Sequence, residues 1–232
     1  MKFSVLALLF FVITNSVSAQ ADSDSSYLNP MSRYVNSETP IDSGYVADHL
    51  MQMELLYGAT VTCPPLYRDK LLAALAFYPE LWGTRIKIKR TVLKTSMAAR
   101  PTSMGLNKNA RVYTIFMDDV SEKEVDFRKA SYSAQVGCLI HELAHIAHYH
   151  SVPNPRLVRD GVSYKTSQRF RSRYEKMTDE IAIAHGGGYY IYQFSRFIFK
   201  RAGISDEYRE FKESHYYTDD EIYELFIEEQ AN

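Results

Sequence analysis

His141, Glu142 and His145 form an HExxH stretch inside an apolar run, Cys138 to Ala147, that reads as a buried helix. Residues four apart share one helical face, so the two imidazoles point the same way and can grip one metal ion. Glu142 lies about 100° further round the cylinder, within reach of a water held at that metal. Two nitrogens and a carboxylate base are the core of a zinc hydrolase site. The apolar surroundings strengthen this, because two histidines and a glutamate on a buried helix need partners.

A catalytic zinc site takes three protein ligands and keeps one position open. The pattern HExxHxxGxxH fails here, with His148 at the Gly position and Ser151 at the last His position. The better source is Tyr174 to Glu180, where Glu175 and Asp179 are four apart on a second predicted helix. Phe170, Tyr174, Met177 and Ile181 form an apolar stripe on that helix, and Gly186 to Gly188 stop it. Glu175 is assigned to the metal. Asp179, one turn on, is placed to accept the other N–H of a metal-bound histidine, His141, and so to orient its ring.

HExxH followed about thirty residues later by ExxxD resembles the gluzincin class of metallopeptidases, and Tyr174 to Gly188 is similar to the minigluzincins and related small secreted or membrane-linked enzymes. Thr178 stands where such motifs usually carry Ala. The resemblance runs from about Leu66 to Tyr190. It implies one Zn²⁺ on His141, His145 and Glu175, with Glu142 as general base. It also implies an α+β fold in which a small antiparallel sheet packs on the active-site helix, with further helices around it.

The ends and composition bound the rest. Lys2, the apolar run Phe3 to Ile13, and Val17-Ser18-Ala19 read as a signal peptide over residues 1–19, so a secreted or periplasmic protein is expected. That run is too short to span a membrane, and no span is expected after its removal. Residues 20–44, rich in Ser, Asp, Asn and Pro, read as a flexible leader, and 45–232 as a single domain. Lys and Arg number 27 against 28 Asp and Glu, which argues against nucleic acid as a main partner. Cys63 and Cys138 are equally consistent with a disulfide and with two buried thiols.

The spacing predicts helices over Tyr45 to Tyr57 and Leu66 to Phe77, strands over Arg85 to Leu93, Thr95 to Arg100 and Arg111 to Met117, and the active-site helix over Ser131 to His150. Pro101 is expected to stop the second strand. Gly137 inside the active-site helix suggests close approach of another backbone. Ser151 to Gly161 is expected to be a loop at the rim of a cleft. An aromatic helix follows over Tyr189 to Lys200, and Thr218 to Glu221 forms a capping box before a last helix.

The chemistry expected is hydrolysis of a peptide or protein substrate, bound as an added strand on a sheet edge. His185, Tyr189, His215, Tyr216 and Tyr217 are candidates for stabilising the oxyanion, and His148 for a place in the cleft. The alternatives are a non-catalytic domain stabilised by zinc and a zinc amidase acting on cell-wall peptides.

Overall fold

The computed structural model describes residues 29–93, 95–105, 107–119, 122, 124–200 and 204–231. The expected signal peptide and the first part of the expected leader lie outside them. Eight helices are described: α1 Ser43–Tyr57, α2 Pro65–Leu75, α3 Tyr132–Ser151, α4 Asn154–Thr166, α5 Gln168–Ala182, α6 Gly188–Phe199, α7 Asp206–His215 and α8 Asp219–Ala231. Four strands, β1 Val61–Thr62, β2 Arg85–Arg90, β3 Met97–Ser103 and β4 Val112–Met117, form one sheet in the order β1-β2-β4-β3. The fold is α+β and mostly helical. No helix of the described residues is long and apolar enough to cross a membrane.

β2 alternates as its sequence demands. Ile86 and Ile88 face the core, while Arg85, Lys87 and Lys89 are exposed. The sheet is mixed rather than antiparallel: β1 and β4 both run parallel to β2, and only β3 is antiparallel, to β4. The antiparallel arrangement is what the resemblance implies, and alternation within a strand is silent on its partner and direction. Pro101 does not stop β3 but pairs with Tyr113 inside it, just before a register shift at Ser103. β3 is an edge strand, where a missing backbone donor is tolerated.

α3 is the centre of the molecule. Ser131 caps its start by accepting from the Ala134 N–H at 3.2 Å, and thirteen of its residues from Ala134 to Ala147 are buried with hardly a break. On one side α3 packs against α2 and β3, on another against α6 and α5. The α3–α6 contact depends on Gly137. A Cβ placed there would stand 1.9 Å from the Tyr190 carbonyl oxygen, so the two backbones approach as only glycine permits. Tyr78 ties in the far side by donating its hydroxyl to the Ile140 carbonyl at 2.8 Å.

From Asn29 the expected leader is packed, not loose. Met31 and Tyr34 are fully buried, the Ile41 N–H donates to Ser133 Oγ, and Tyr190 donates its hydroxyl to the Tyr34 and Thr39 carbonyls. Three well-spaced anchors outweigh a polar average composition. The expected rim loop after α3 is also corrected. Pro155 lies in the first turn of α4, where its fixed φ and missing N–H suit a helix start rather than prevent one. The break after α5 is a tight turn centred on Gly186 at φ +82°, from which α6 follows at once. The capping box before α8 is formed, with the Glu221 carboxylate accepting from the Thr218 N–H at 2.7 Å and the Thr218 hydroxyl accepting from the Glu221 N–H at 3.3 Å.

Gly137→Ala tests the α3–α6 contact. Alanine gains about 1 kcal/mol of helix propensity, but the clash with Tyr190 costs more, and a net loss of about 1–3 kcal/mol is expected from overpacking. Chemical denaturation of both proteins checks it. A more stable variant would show that the helices are free to separate.

Candidate metal centre

α3 supplies His141 and His145 one turn apart, and α5 crosses them with Glu175. Glu175 Oε2 lies 3.3 Å from His141 Nε2 and 3.3 Å from His145 Nε2. The three ligand atoms lie within 4.8 Å of one another, and all three residues are buried. Atoms bound to zinc at about 2.0–2.1 Å in tetrahedral array stand roughly 3.3 Å apart, which matches both histidine–glutamate distances. Glu175 Oε2 has no hydrogen-bond partner despite its burial. A buried carboxylate oxygen in that condition calls for a cation. The donor set therefore fits a divalent metal ion, and among the described residues no fourth His, Cys, Asp or Glu joins it.

The residues around the triad set which nitrogen faces the metal. Asp179 Oδ1 accepts from His141 Nδ1 at 2.8 Å, the partnership its spacing from Glu175 suggested. Thr178, where similar motifs carry Ala, has a comparable role toward the second imidazole. Its hydroxyl donates to the Tyr174 carbonyl at 2.9 Å, so at 3.1 Å from His145 Nδ1 its oxygen must accept. Both imidazoles thus keep Nε2 for the ion. The His145 ring lies nearly parallel to those of Tyr149 and Tyr174, at 12° and 14°. Tyr164, on α4, donates its hydroxyl to the other oxygen of Glu175.

Burial opposes charge on Glu175, but His145 and His141 outweigh it and hold its carboxyl well below the usual range. Burial likewise opposes a charged His141, yet Asp179 and Glu175 raise it to about 10. Glu142 goes the other way. Desolvation raises its carboxyl, only partly offset by the two imidazoles and by the Ala99 N–H of β3. Its Oε2 is buried and unpartnered.

The remaining expected residues sort clearly. Of the five oxyanion candidates, Tyr216 comes near the triad, its ring 6.0 Å from that of His141. His185 is bonded to Glu80 and stacked on Tyr78, while Tyr217 donates to Glu180. Tyr189 packs among Tyr190, Tyr192 and Phe226, and His215 bonds the Phe211 carbonyl. His148 stays out of the cluster, with Nε2 at 3.8 Å from Asp160. Both cysteines are free thiols, and Cys138 packs against Met97 at 3.5 Å between sulfurs.

Three residues at the site were not anticipated: Tyr164, Thr178 and Lys212. Thr178 had a signal, since the turn between Glu175 and Asp179 shares their face. Tyr164 had none, because it reaches Glu175 from a helix read as partly loop. Lys212 is buried on α7, its ammonium 4.0 Å over the Tyr216 ring. No protein-family model, curated protein or solved structure gives a significant match to this chain.

Since Asp179 and Glu175 keep His141 protonated at neutral pH in the metal-free protein, an incoming ion must displace a proton. Metal affinity should therefore climb about tenfold per pH unit from pH 6 to 8. Asp179→Ala should weaken zinc binding by about 10–100-fold and flatten that climb. Competition titrations against a chromophoric chelator read both. An affinity independent of pH in the wild-type protein would contradict the proton inventory.

Proposed function

We propose that this chain is a zinc-dependent peptidase of gluzincin type, acting on peptide or protein substrates with Glu142 as general base. The observation that carries the reading is the convergence of His141, His145 and Glu175 within 4.8 Å, with Glu142, whose buried Oε2 is unpartnered, as the next residue of the same helix. Three ligands, with no fourth among the described residues, favour a catalytic site over a closed structural one. A zinc-stabilised binding domain would have no use for a buried, unpartnered carboxylate at this position.

When bound, zinc supplies Lewis acidity, bringing the pKa of water near 7 and polarising a carbonyl. The chain's own residues do the rest. Glu142, its carboxyl raised by burial, takes a proton from the attacking water and passes it to the leaving nitrogen. The Tyr216 hydroxyl, which burial keeps protonated far above neutral pH, is available to donate to the oxygen that gathers charge. Asp179 and Thr178 hold the imidazole rings so that neither has to turn during the reaction.

β3 suits the role of substrate guide. It is an edge of the sheet and it packs on α3. An extended peptide adding along that edge would be held by main-chain hydrogen bonds, leaving side chains free to vary. The N-terminal sequence pattern adds the proposal that the enzyme is exported to the periplasm or beyond.

Casein hydrolysis and zinc content of the wild type, Glu142→Ala and Glu175→Ala test the assignment. Glu142→Ala should retain zinc and lose on the order of 10²–10⁴-fold in rate. Glu175→Ala should lose both zinc and activity. Wild-type turnover by pure, metal-replete Glu142→Ala would sink the mechanism, and undiminished zinc affinity in Glu175→Ala would sink the ligand set.

A further inference from the structure

Lys212 has no part in the chemistry above, yet it sits beside it. A helix laid on a protein interior normally turns apolar residues inward. The buried residues of α7 are instead Lys212 and His215. Lys212 is only 8 % exposed, and among the described residues its ammonium has no carboxylate within ion-pair distance. It meets ring faces, Tyr216 at 4.0 Å and Tyr208 at 5.8 Å. Because the Tyr216 ring is 6.0 Å from that of His141, the ammonium lies within about 10 Å of the triad. Burial holds its pKa below the usual lysine range, and Glu175, Asp179 and Glu142 pull the other way without cancelling that shift.

Those carboxylates are committed elsewhere. Glu175 lies against both imidazoles, Asp179 against His141, and Glu142 is reserved for the proton. Burial disfavours the charged ammonium, and an anion joining it would offset that cost. Leucine or methionine would fill the volume without that cost. The missing partner is thus an anion that arrives from outside. A peptide advances about 3.3 Å per residue, so a carboxylate one or two residues from the scissile bond falls within range of Lys212.

We propose that Lys212 receives a carboxylate of the substrate, and that the site selects peptides carrying one within two residues of the bond to be cut. The proposal rests on the peptidase reading. The carboxylate belongs either to the C-terminus of a short peptide or to an Asp or Glu side chain, two sources of the same chemistry. The charge of the reaction's own oxyanion is common to every peptide, so selectivity separates this role from oxyanion stabilisation.

Four acetylated peptides of otherwise identical sequence test it: one with a free C-terminal carboxylate, its amide, the amide with Glu as last residue, and the amide with Lys there. The zinc-loaded wild type should prefer a carboxylate-bearing peptide over the neutral amide by on the order of 10²-fold in kcat/KM, mostly through KM. The acid and the Glu amide show which source is used. Lys212→Met should bring the ratio near one, and Lys212→Arg should keep most of it. Equal kcat/KM for all four in the wild type, or a uniform loss for all four in Lys212→Met, overturns the proposal. Calorimetric binding of the same peptides to wild type and Lys212→Met gives a second readout. If the wild type cleaves none of the four, the peptidase reading falls, and calorimetry alone decides. Tighter binding of the carboxylate-bearing peptides by wild type than by Lys212→Met sustains the role of Lys212, and equal binding refutes it.

Discussion

A carboxylate buried between two imidazoles sets the terms for everything around it. Glu175 is 2 % exposed and 3.3 Å from each Nε2. Stripped of water, an isolated carboxylate would neutralise or drag its helix outward. It stays because α3 meets it with two nitrogens at a fixed spacing of one helical turn. That requirement fixes how α5 crosses α3, and with it the depth at which both helices lie. α3 can go so deep only because α6 lets it. The contact through Gly137 brings the Tyr190 backbone to a distance that any side chain would prevent. The metal site and the glycine contact are therefore two ends of one packing problem.

The same constraint explains an inversion in α5. Of its apolar residues Tyr174 and Ala182 are buried but Phe170, Met177 and Ile181 only partly, while Glu175, Thr178 and Asp179 are inside. A helix reading based on hydrophobic periodicity alone would have turned it the wrong way. Polar groups can line the interior when each is answered. Asp179 answers His141, Thr178 answers His145, and Tyr164 answers the second oxygen of Glu175. The oxygen left unanswered is the one that points between the imidazoles, where a cation belongs.

What the sequence made legible follows from how local each feature is. HExxH and ExxxD are one-turn spacings, so the faces they share could be read before any fold was known. Helix ends marked by Ser131 or by Thr218 and Glu221 are equally local. Strand positions were readable locally, in β2 from alternation and in β4 from its apolar run, but their mutual direction was not, since pairing joins residues that the sequence holds far apart. Asn29 to Gly44 misled because composition averages over Met31, Tyr34 and Ile41, whose burial depends on what they meet. Pro153 and Pro155 suggest a break within a loop, though the first turn of a helix accepts proline as readily. Tyr164 and Lys212 reach the site from elements whose placement only the tertiary structure gives.

Glu142, Glu175 and Asp179 are chemically near-identical and act on the same group of histidines, yet their surroundings differ. What separates them is the number and kind of donors each one meets. Glu175 faces two imidazole nitrogens and a tyrosine hydroxyl, which favour its charged form and suit a ligand. Asp179 faces the outer nitrogen of one ring, which suits an orienting group. Glu142 has an oxygen that faces no donor, so burial dominates and its carboxyl is raised, which suits the proton carrier proposed for it. Exchanging any two would demand moving the donors rather than the acids. The division of labour thus belongs to the surrounding helices, and the motif letters only mark where they converge.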